Sequence, residues 1–254
     1  MDMELAGKRV VVTGASKGIG YACAEAFAAE GCDIVVAART PDDAVAALRK
    51  KYQVRVEAFA ADLSKPEERV RLHAATLGAD ILVNNAGAIP SGSIGVLDMA
   101  VWEQSWQLKV FGYFHLTQMF VADMRARKSG VIVNIVGMAG RAWKHNYIAG
   151  TAGNAAIIAF TCAVGGEAQA DNVRVFGINP AATRTERMVT LARQRAEVAH
   201  GDPERWEEMI VGLPLGRPTE PVEIAEVAVF AASPRGGYIA GTVIDVDGGG
   251  RFKG

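Results

Sequence analysis

The chain has 254 residues, half of them hydrophobic, which suits one large α/β domain with a substantial core. Its formal net charge of −1 supplies no global field for nucleic acid or for an anionic membrane. The start Met1-Asp2-Met3-Glu4-Leu5 lacks an apolar signal region, and the three scattered cysteines form no C-x-x-C pair, so the expectation is a cytoplasmic protein with no disulfide framework and no metal centre.

No apolar run approaches the ~18 residues of a spanning helix. Taken in order, the chain opens on a short apolar run at 10–12 that reads as a buried parallel strand. Glycines at 14, 18 and 20 come next, then a helical stretch over 21–30 that Gly31 stops. Strand, glycine turn and helix make a dinucleotide site: the turn lets backbone approach a pyrophosphate, and the helix N-terminus faces the anion. The spacing here is G-x-x-x-G-x-G rather than G-x-G-x-x-G. An ordinary tight turn has the same look, so the turn alone does not decide between the two.

A second buried strand spans 33–38, and Pro41 opens a helix to about 51. A third strand over 54–60 ends at Ala61-Asp62; Ser64 is expected to cap a helix with Pro66 and Glu67 in its first turn. A fourth strand at 81–83 runs into Asn84-Asn85-Ala86-Gly87. After a loop rich in Gly, Ser and Pro, Asp98 caps a long helix over 99–127. A fifth strand at 131–136, a helix over 147–170 and a sixth strand at 173–178 come next. Pro180 begins a polar, Arg/Glu-rich excursion, of which 183–213 reads as a substrate-side lid. A helix over 220–232 and a seventh strand at 243–246 complete the pattern. This alternation predicts a Rossmann-type doubly wound seven-stranded parallel sheet flanked by helices, a three-layer α/β/α domain spanning 1–254. Ligands of such sheets sit beyond the strand C-termini, where all the irregular loops fall.

The end of the second strand selects the cofactor. An acid there would hold a free ribose 2′-hydroxyl. The chain has Ala38-Arg39 instead, and Arg39 suits a bidentate 2′-phosphate contact, with Lys17 as a second cation. NADP(H) is therefore preferred over NAD(H). Asp62 either meets the adenine edge or simply begins a loop.

With the glycine turn, Asn84-Asn85-Ala86-Gly87 and Tyr147 in this order, the chain resembles the short-chain dehydrogenase/reductase family over essentially its whole length. Residues 13–20 match that family's cofactor motif. Asn84, Ala86 and Gly87 match its N-N-A-G motif, Asn179-Pro180 begins its P-G loop, and Gly241-Thr242 and Asp247-Gly248-Gly249 match its C-terminal end. The resemblance implies cofactor contacts from Gly14, Ser16, Lys17, Gly18, Ile19, Gly20, Leu63, Asn85, Ala86, Gly87, Pro180 and Thr185. It also implies hydride transfer between NADPH and a ketone, aldehyde or secondary alcohol, with Tyr147 as acid/base. A homodimer or homotetramer packed through the two long helices is expected.

The departures from the family pattern concern the active tetrad of Asn, Ser, Tyr and Lys. Thr151 stands where the lysine belongs, Gly137 where the serine does, Lys109 where the asparagine does, and Ala181 replaces the P-G glycine. A free phenol has a pKa of about 10, and a nearby cation lowers it. Lys109, beside Val110 and Phe111 that read as buried, offers that cation from the neighbouring helix, unless it snorkels outward as a surface charge. Thr151, one helical turn from Tyr147, can bind a ribose or a water. Gly137, Trp143, His145 and Met188 are candidate substrate contacts; His145 is otherwise a solvated loop residue and Met188 core filler. Trp102 and Trp106 read as core or interface anchors, and Asn154 as structural or at a subunit contact. Arg184, Glu186 and Arg187 touch cofactor phosphate or an acidic substrate, or cap a lid helix. Two other functions fit the altered tetrad: an NADP(H)-binding sensor or assembly subunit with little turnover, and an epimerase or lyase that keeps the cofactor.

Overall fold

The computed structural model describes residues 2–252. Seven parallel strands form one sheet in the order β3-β2-β1-β4-β5-β6-β7. They are β1 (Arg9–Thr13), β2 (Asp33–Ala38), β3 (Val56–Ala60), β4 (Ile81–Asn84), β5 (Gly130–Ile135), β6 (Val173–Pro180) and β7 (Val243–Val246). The helices are α1 (Gly18–Ala29), α2 (Asp42–Lys51), α3 (Pro66–Ala75), α4 (Met99–Ala126), α5 (Ile148–Ala168), α6 (Glu186–His200) and α7 (Pro221–Ala232).

The central strands are apolar on both faces because helices cover both. Successive strand residues point to opposite sides, so Val10, Val12, Val36, Val83 and Phe176 pack with Phe27 of α1 and Ala228 of α7. Their neighbours Val11, Val35, Leu82 and Ile132 pack with Leu116 and Met124 of α4. Strand order reverses between β1 and β4, which pair in register from Val10↔Ile81 to Val12↔Val83, and this opens the crevice at their C-terminal ends. A buried polar ladder ties that edge together. Asn84 Nδ2 donates to Asn134 Oδ1 (2.9 Å) and Thr117 Oγ1 (3.2 Å), and Asn134 Nδ2 donates to Thr161 Oγ1 (2.9 Å).

Several local expectations change. Ser64 does not cap α3; its hydroxyl and amide both donate to Asp62 Oδ1, at 2.7 and 3.1 Å, and the helix starts at Pro66 behind Lys65. The polar excursion contains a helix of 15 residues, α6, capped by Thr185, whose sparse apolar face rests on Ala192 and Ala196. A 3₁₀ run, Pro203–Ile210, folds back on it, with Arg193 paired to Glu204 at 3.1 Å. Phe111, expected inside beside Val110, is 45% exposed. Residues 148–171 are apolar and long enough to cross a membrane by composition, but α5 packs on β6 and α4, with Ile157 and Thr161 fully buried.

Candidate active site

The turn after β1 is built for close approach. Gly14 and Gly18 hold φ of +65° and +61°, a region that glycine enters without strain. A Cβ on Gly14 would lie 2.8 Å from Ala86 Cα, and one on Gly20 would collide with Gly14 O and the Asn85 amide. Asn85 laces the two turns together: its Nδ2 donates to Thr13 O (3.0 Å) and Gly14 O (3.1 Å). Thr13 Oγ1 accepts from the Asn85 and Ala86 amides at 2.9 and 3.1 Å. Behind this cradle α1 begins at Gly18, with Lys17 extended at its N-cap and no side chain capping it. The first amides of the helix therefore face the crevice, the arrangement that binds a pyrophosphate. Ser16 sits half-buried on the rim without a hydrogen bond among the described residues, Ile19 packs into the core, and Leu63 is buried below.

Beyond β2, Arg39 is exposed and makes no hydrogen bond or ion pair among the described residues, though its charge acts on Asp62. Lys17, expected beside it, instead pairs with Glu186 across the crevice at 2.7 Å. Asp62 has one oxygen engaged by Ser64; those bonds, with Arg39 nearby, hold its carboxyl below the usual range.

The start of α6 bridges both turns. Thr185 Oγ1 accepts from the Met188 amide (3.3 Å), and its methyl lies 3.3 Å from the position of a Cβ on Gly18. Arg187 donates to Gly87 O at 3.3 Å and to Ile89 O at 2.5 Å. Arg187 is thus a strut joining the segment expected to act as a lid to the turn after β4, a role the residue pattern did not single out. Arg184 pairs with Glu220 (2.8 Å). Pro180 is buried at the end of β6, and Met188 is half-buried.

Lys109 turns inward. Its stem passes so close to Gly87 that a Cβ there would lie 2.5 Å from Lys109 Cδ. The amine donates to Tyr113 Oη (3.1 Å), Ile135 O (2.8 Å) and Val136 O (3.0 Å). Burial, reinforced by the charge of Arg187, brings its pKa down to about 7. The surface alternative is thereby removed, yet Tyr147 is not among the partners of the amine. The direct Lys109–Tyr147 contact is corrected: buried carbonyls at the end of β5 and the phenol of Tyr113, one turn along α4, capture the ammonium first.

Tyr147 is the N-cap of α5, and its backbone is stitched to the 88–98 loop: the Gly92 amide donates to Asn146 O (2.9 Å) and the Ile148 amide to Gly92 O (3.1 Å). Its ring lies directly over Gly150, where any side chain would fall inside the ring. Burial raises the phenol pKa, and the positive charge of Arg187 works against that rise. The Thr151 hydroxyl donates to Lys144 O and accepts from the Lys144 amide, each at 3.2 Å, closing the loop ahead of α5; its proton is committed there and one lone pair is left. Gly137 holds φ +135° just past β5, its amide donating to Asn179 Oδ1 (3.2 Å). Trp143 is 81% exposed and His145 is exposed without a partner among the described residues, so neither lines an enclosed wall in this conformation. Trp106 anchors the helix pair by donating to Ala149 O at 3.0 Å. Gly150 escaped the sequence reading, although a glycine inside a helix costs about 1 kcal/mol against alanine and so signals a packing need.

Known proteins share the family sequence pattern and the fold. The sequence profile of the short chain dehydrogenase family matches residues 8–196. The 7alpha-hydroxysteroid dehydrogenase of Escherichia coli K12 is 31% identical over 257 residues, covering 98% of this chain and 96% of that protein. The galactitol 2-dehydrogenase (L-tagatose-forming) of Cereibacter sphaeroides is 33% identical, covering 97% and 96%. L-Sorbose reductase from Gluconobacter frateurii, solved with NADPH and L-sorbose, superposes with a TM-score of 0.93 at 33% identity, covering all of both chains.

Proposed function

The chain belongs to the short-chain dehydrogenase/reductase family, and from that premise we propose that it is an NADP(H)-dependent oxidoreductase acting on a ketone or aldehyde and the matching secondary alcohol. The observation that carries this reading is the Tyr147 phenol laid over Gly150 at the end of the crevice that the glycine turn opens. The cradle of Gly14, Gly18 and Gly20 with the uncapped start of α1 fits a pyrophosphate, and Asn85, Ala86 and Gly87 support the turn from behind. Ser16, Ile19, Leu63, Pro180 and Thr185 complete the proposed cofactor wall. Exposed Arg39, with no acid at the end of β2 and no ion pair of its own, favours the 2′-phosphorylated form, and the L-sorbose reductase neighbour was solved with NADPH. That cofactor, when bound, supplies the hydride.

The chain's own task is the proton. Burial keeps Tyr147 protonated through neutral pH, so Oη donates to the oxygen of a carbonyl as negative charge develops there. Arg187 provides the positive charge that acts on the phenol, while the inward Lys109, brought down to about 7, is only partly charged at neutral pH. Because L-sorbose reductase and galactitol 2-dehydrogenase are among the similar proteins, polyhydroxylated ketones lead the list of substrates. Segment 183–213 serves as the lid, with Met188 facing the substrate and Trp143 and His145 on the opposite loop. A groove of about 670 Å³ between α4 and α5, lined by Phe111, Phe114 and Phe160, is the proposed face for a homodimer or homotetramer; Phe111→Arg should lower the mass seen by light scattering.

NADPH fluorescence titration and a carbonyl panel followed at the nicotinamide absorbance test the reading. Tyr147→Phe should cost about 10²–10⁴-fold in turnover with NADPH affinity within twofold. A second reading has its own support: no cation among the described residues is hydrogen-bonded to Tyr147 and the Thr151 hydroxyl is engaged elsewhere, as expected of an NADP(H) binder that turns over little. Silence across the panel, with NADPH bound, selects it.

A further inference from the structure

Asn154 lies four residues after Gly150 on α5, on the same helical face as the seat of the Tyr147 ring. It is 4% exposed, and its amide has no hydrogen-bond partner among the described residues. Oδ1 is fully enclosed. Nδ2 faces the other way, 3.0 Å from the position that a Cβ would take on Gly137. That glycine is held in place: its amide donates to Asn179 Oδ1 at 3.2 Å, and Asn179 Nδ2 donates to Asp245 Oδ1 at 2.8 Å. Its φ of +135° excludes other residues. Gly137 therefore leaves a gap one side chain wide at the C-terminal end of β5, and a primary amide forms its floor.

A buried amide with no partner weakens a fold, because its hydration is lost and nothing replaces it. The enclosed Oδ1 stays unpaired whatever binds, whereas Nδ2, on the side of Gly137, is the atom a ligand oxygen can meet. We propose that Asn154 Nδ2 donates a hydrogen bond to a ligand oxygen seated in the gap over Gly137, beside the Tyr147 phenol. The oxygen belongs either to the carbonyl or hydroxyl of the substrate or to a ribose hydroxyl of the cofactor. The assignment rests on the oxidoreductase reading and deepens it by naming the second polar group that the ligand meets.

Wild type, Asn154→Leu and Asn154→Ala are compared by thermal melting, by NADPH titration and by turnover of the best carbonyl in the panel. The expected result is that Asn154→Leu melts no lower than wild type, since it deletes an unsatisfied buried group. Function should fall at the same time. A loss of tenfold or more in NADPH affinity assigns the ribose as the source of the oxygen. Unchanged NADPH affinity with a tenfold or larger loss in kcat/KM assigns the substrate. Asn154→Ala should behave alike, which guards against a clash from leucine. The inference is overturned if both variants match wild type in NADPH affinity and turnover, or if both melt lower and lose function only in proportion to unfolding. Failure of wild type itself to bind NADPH would instead overturn the oxidoreductase reading.

Discussion

Two glycine clusters at the same edge of the sheet work in opposite ways. In the turn after β1, Gly14 and Gly20 are bare because backbone fills the space: Ala86 and the Gly14 carbonyl stand where their side chains would be. At the start of α5, Gly150 is bare because another side chain, Tyr147, lies on it, and Gly137 is bare above the amide of Asn154. The first cluster brings main chain up to a ligand. The second makes room for side chains that arrive from elsewhere in the chain. Sequence motifs describe the first well, since backbone approach tolerates no other residue. They describe the second poorly, because the group that matters is not the one at the motif position.

The sharpest way to break this comparison is to fill the second cluster. Gly150→Ala should push the Tyr147 ring off its seat and lower turnover by about 10²-fold, the usual cost of a misplacement near 1 Å. NADPH affinity should stay within twofold; equal losses in both would mean that the two clusters are not separate. A smaller effect is expected at the far end of the cofactor cleft. Arg39→Ala should reduce the preference for NADPH over NADH by about tenfold to a hundredfold, the worth of a charge-assisted contact, and leave NADH affinity unchanged. An unchanged preference would move the 2′-phosphate contact to Lys17, freed from Glu186.

A separate test concerns stability and pH. Lys109 has its pKa lowered to about 7 when folded, against about 10.4 in an unfolded chain. Between those values the unfolded chain carries a proton that the folded chain lacks. Stability therefore rises with pH across that window, by at most about 1.4 kcal/mol per pH unit from this group. Denaturant melts of wild type and Lys109→Met from pH 7 to 10 should show this rise only in wild type. Parallel curves would place the amine in water rather than beneath Gly87.

Much of the scaffold was legible because it obeys local rules. Apolar runs bounded by Gly, Pro and Asp marked all seven strands, and the G-x-x-x-G-x-G turn located the crevice. The polar stretch after Pro180 left a lid helix only as an alternative, because the face that α6 buries is made of alanines such as Ala192 and Ala196. Phe111 looked internal beside Val110 but faces the groove between α4 and α5. In the candidate site, the sequence proposes Tyr147 by type and order, whereas the seat of its ring on Gly150 comes only from the structure. The sequence offers Lys109 to Tyr147 and Thr151 to a ribose or a water, but nearer backbone atoms of Ile135 and Val136 hold the first and those of Lys144 the second.

The sequence by itself determined the doubly wound sheet, the place of its crevice and the chemistry on offer there, since strand runs, glycine turns and missing acids act within a few residues of one another. Only the tertiary structure decided which polar groups are engaged and which are free. Hydrogen-bond partners are chosen by distance across packed elements: β5 carbonyls hold the Lys109 amine, the Lys144 backbone holds the Thr151 hydroxyl, and the Asn154 amide is left facing the gap at Gly137.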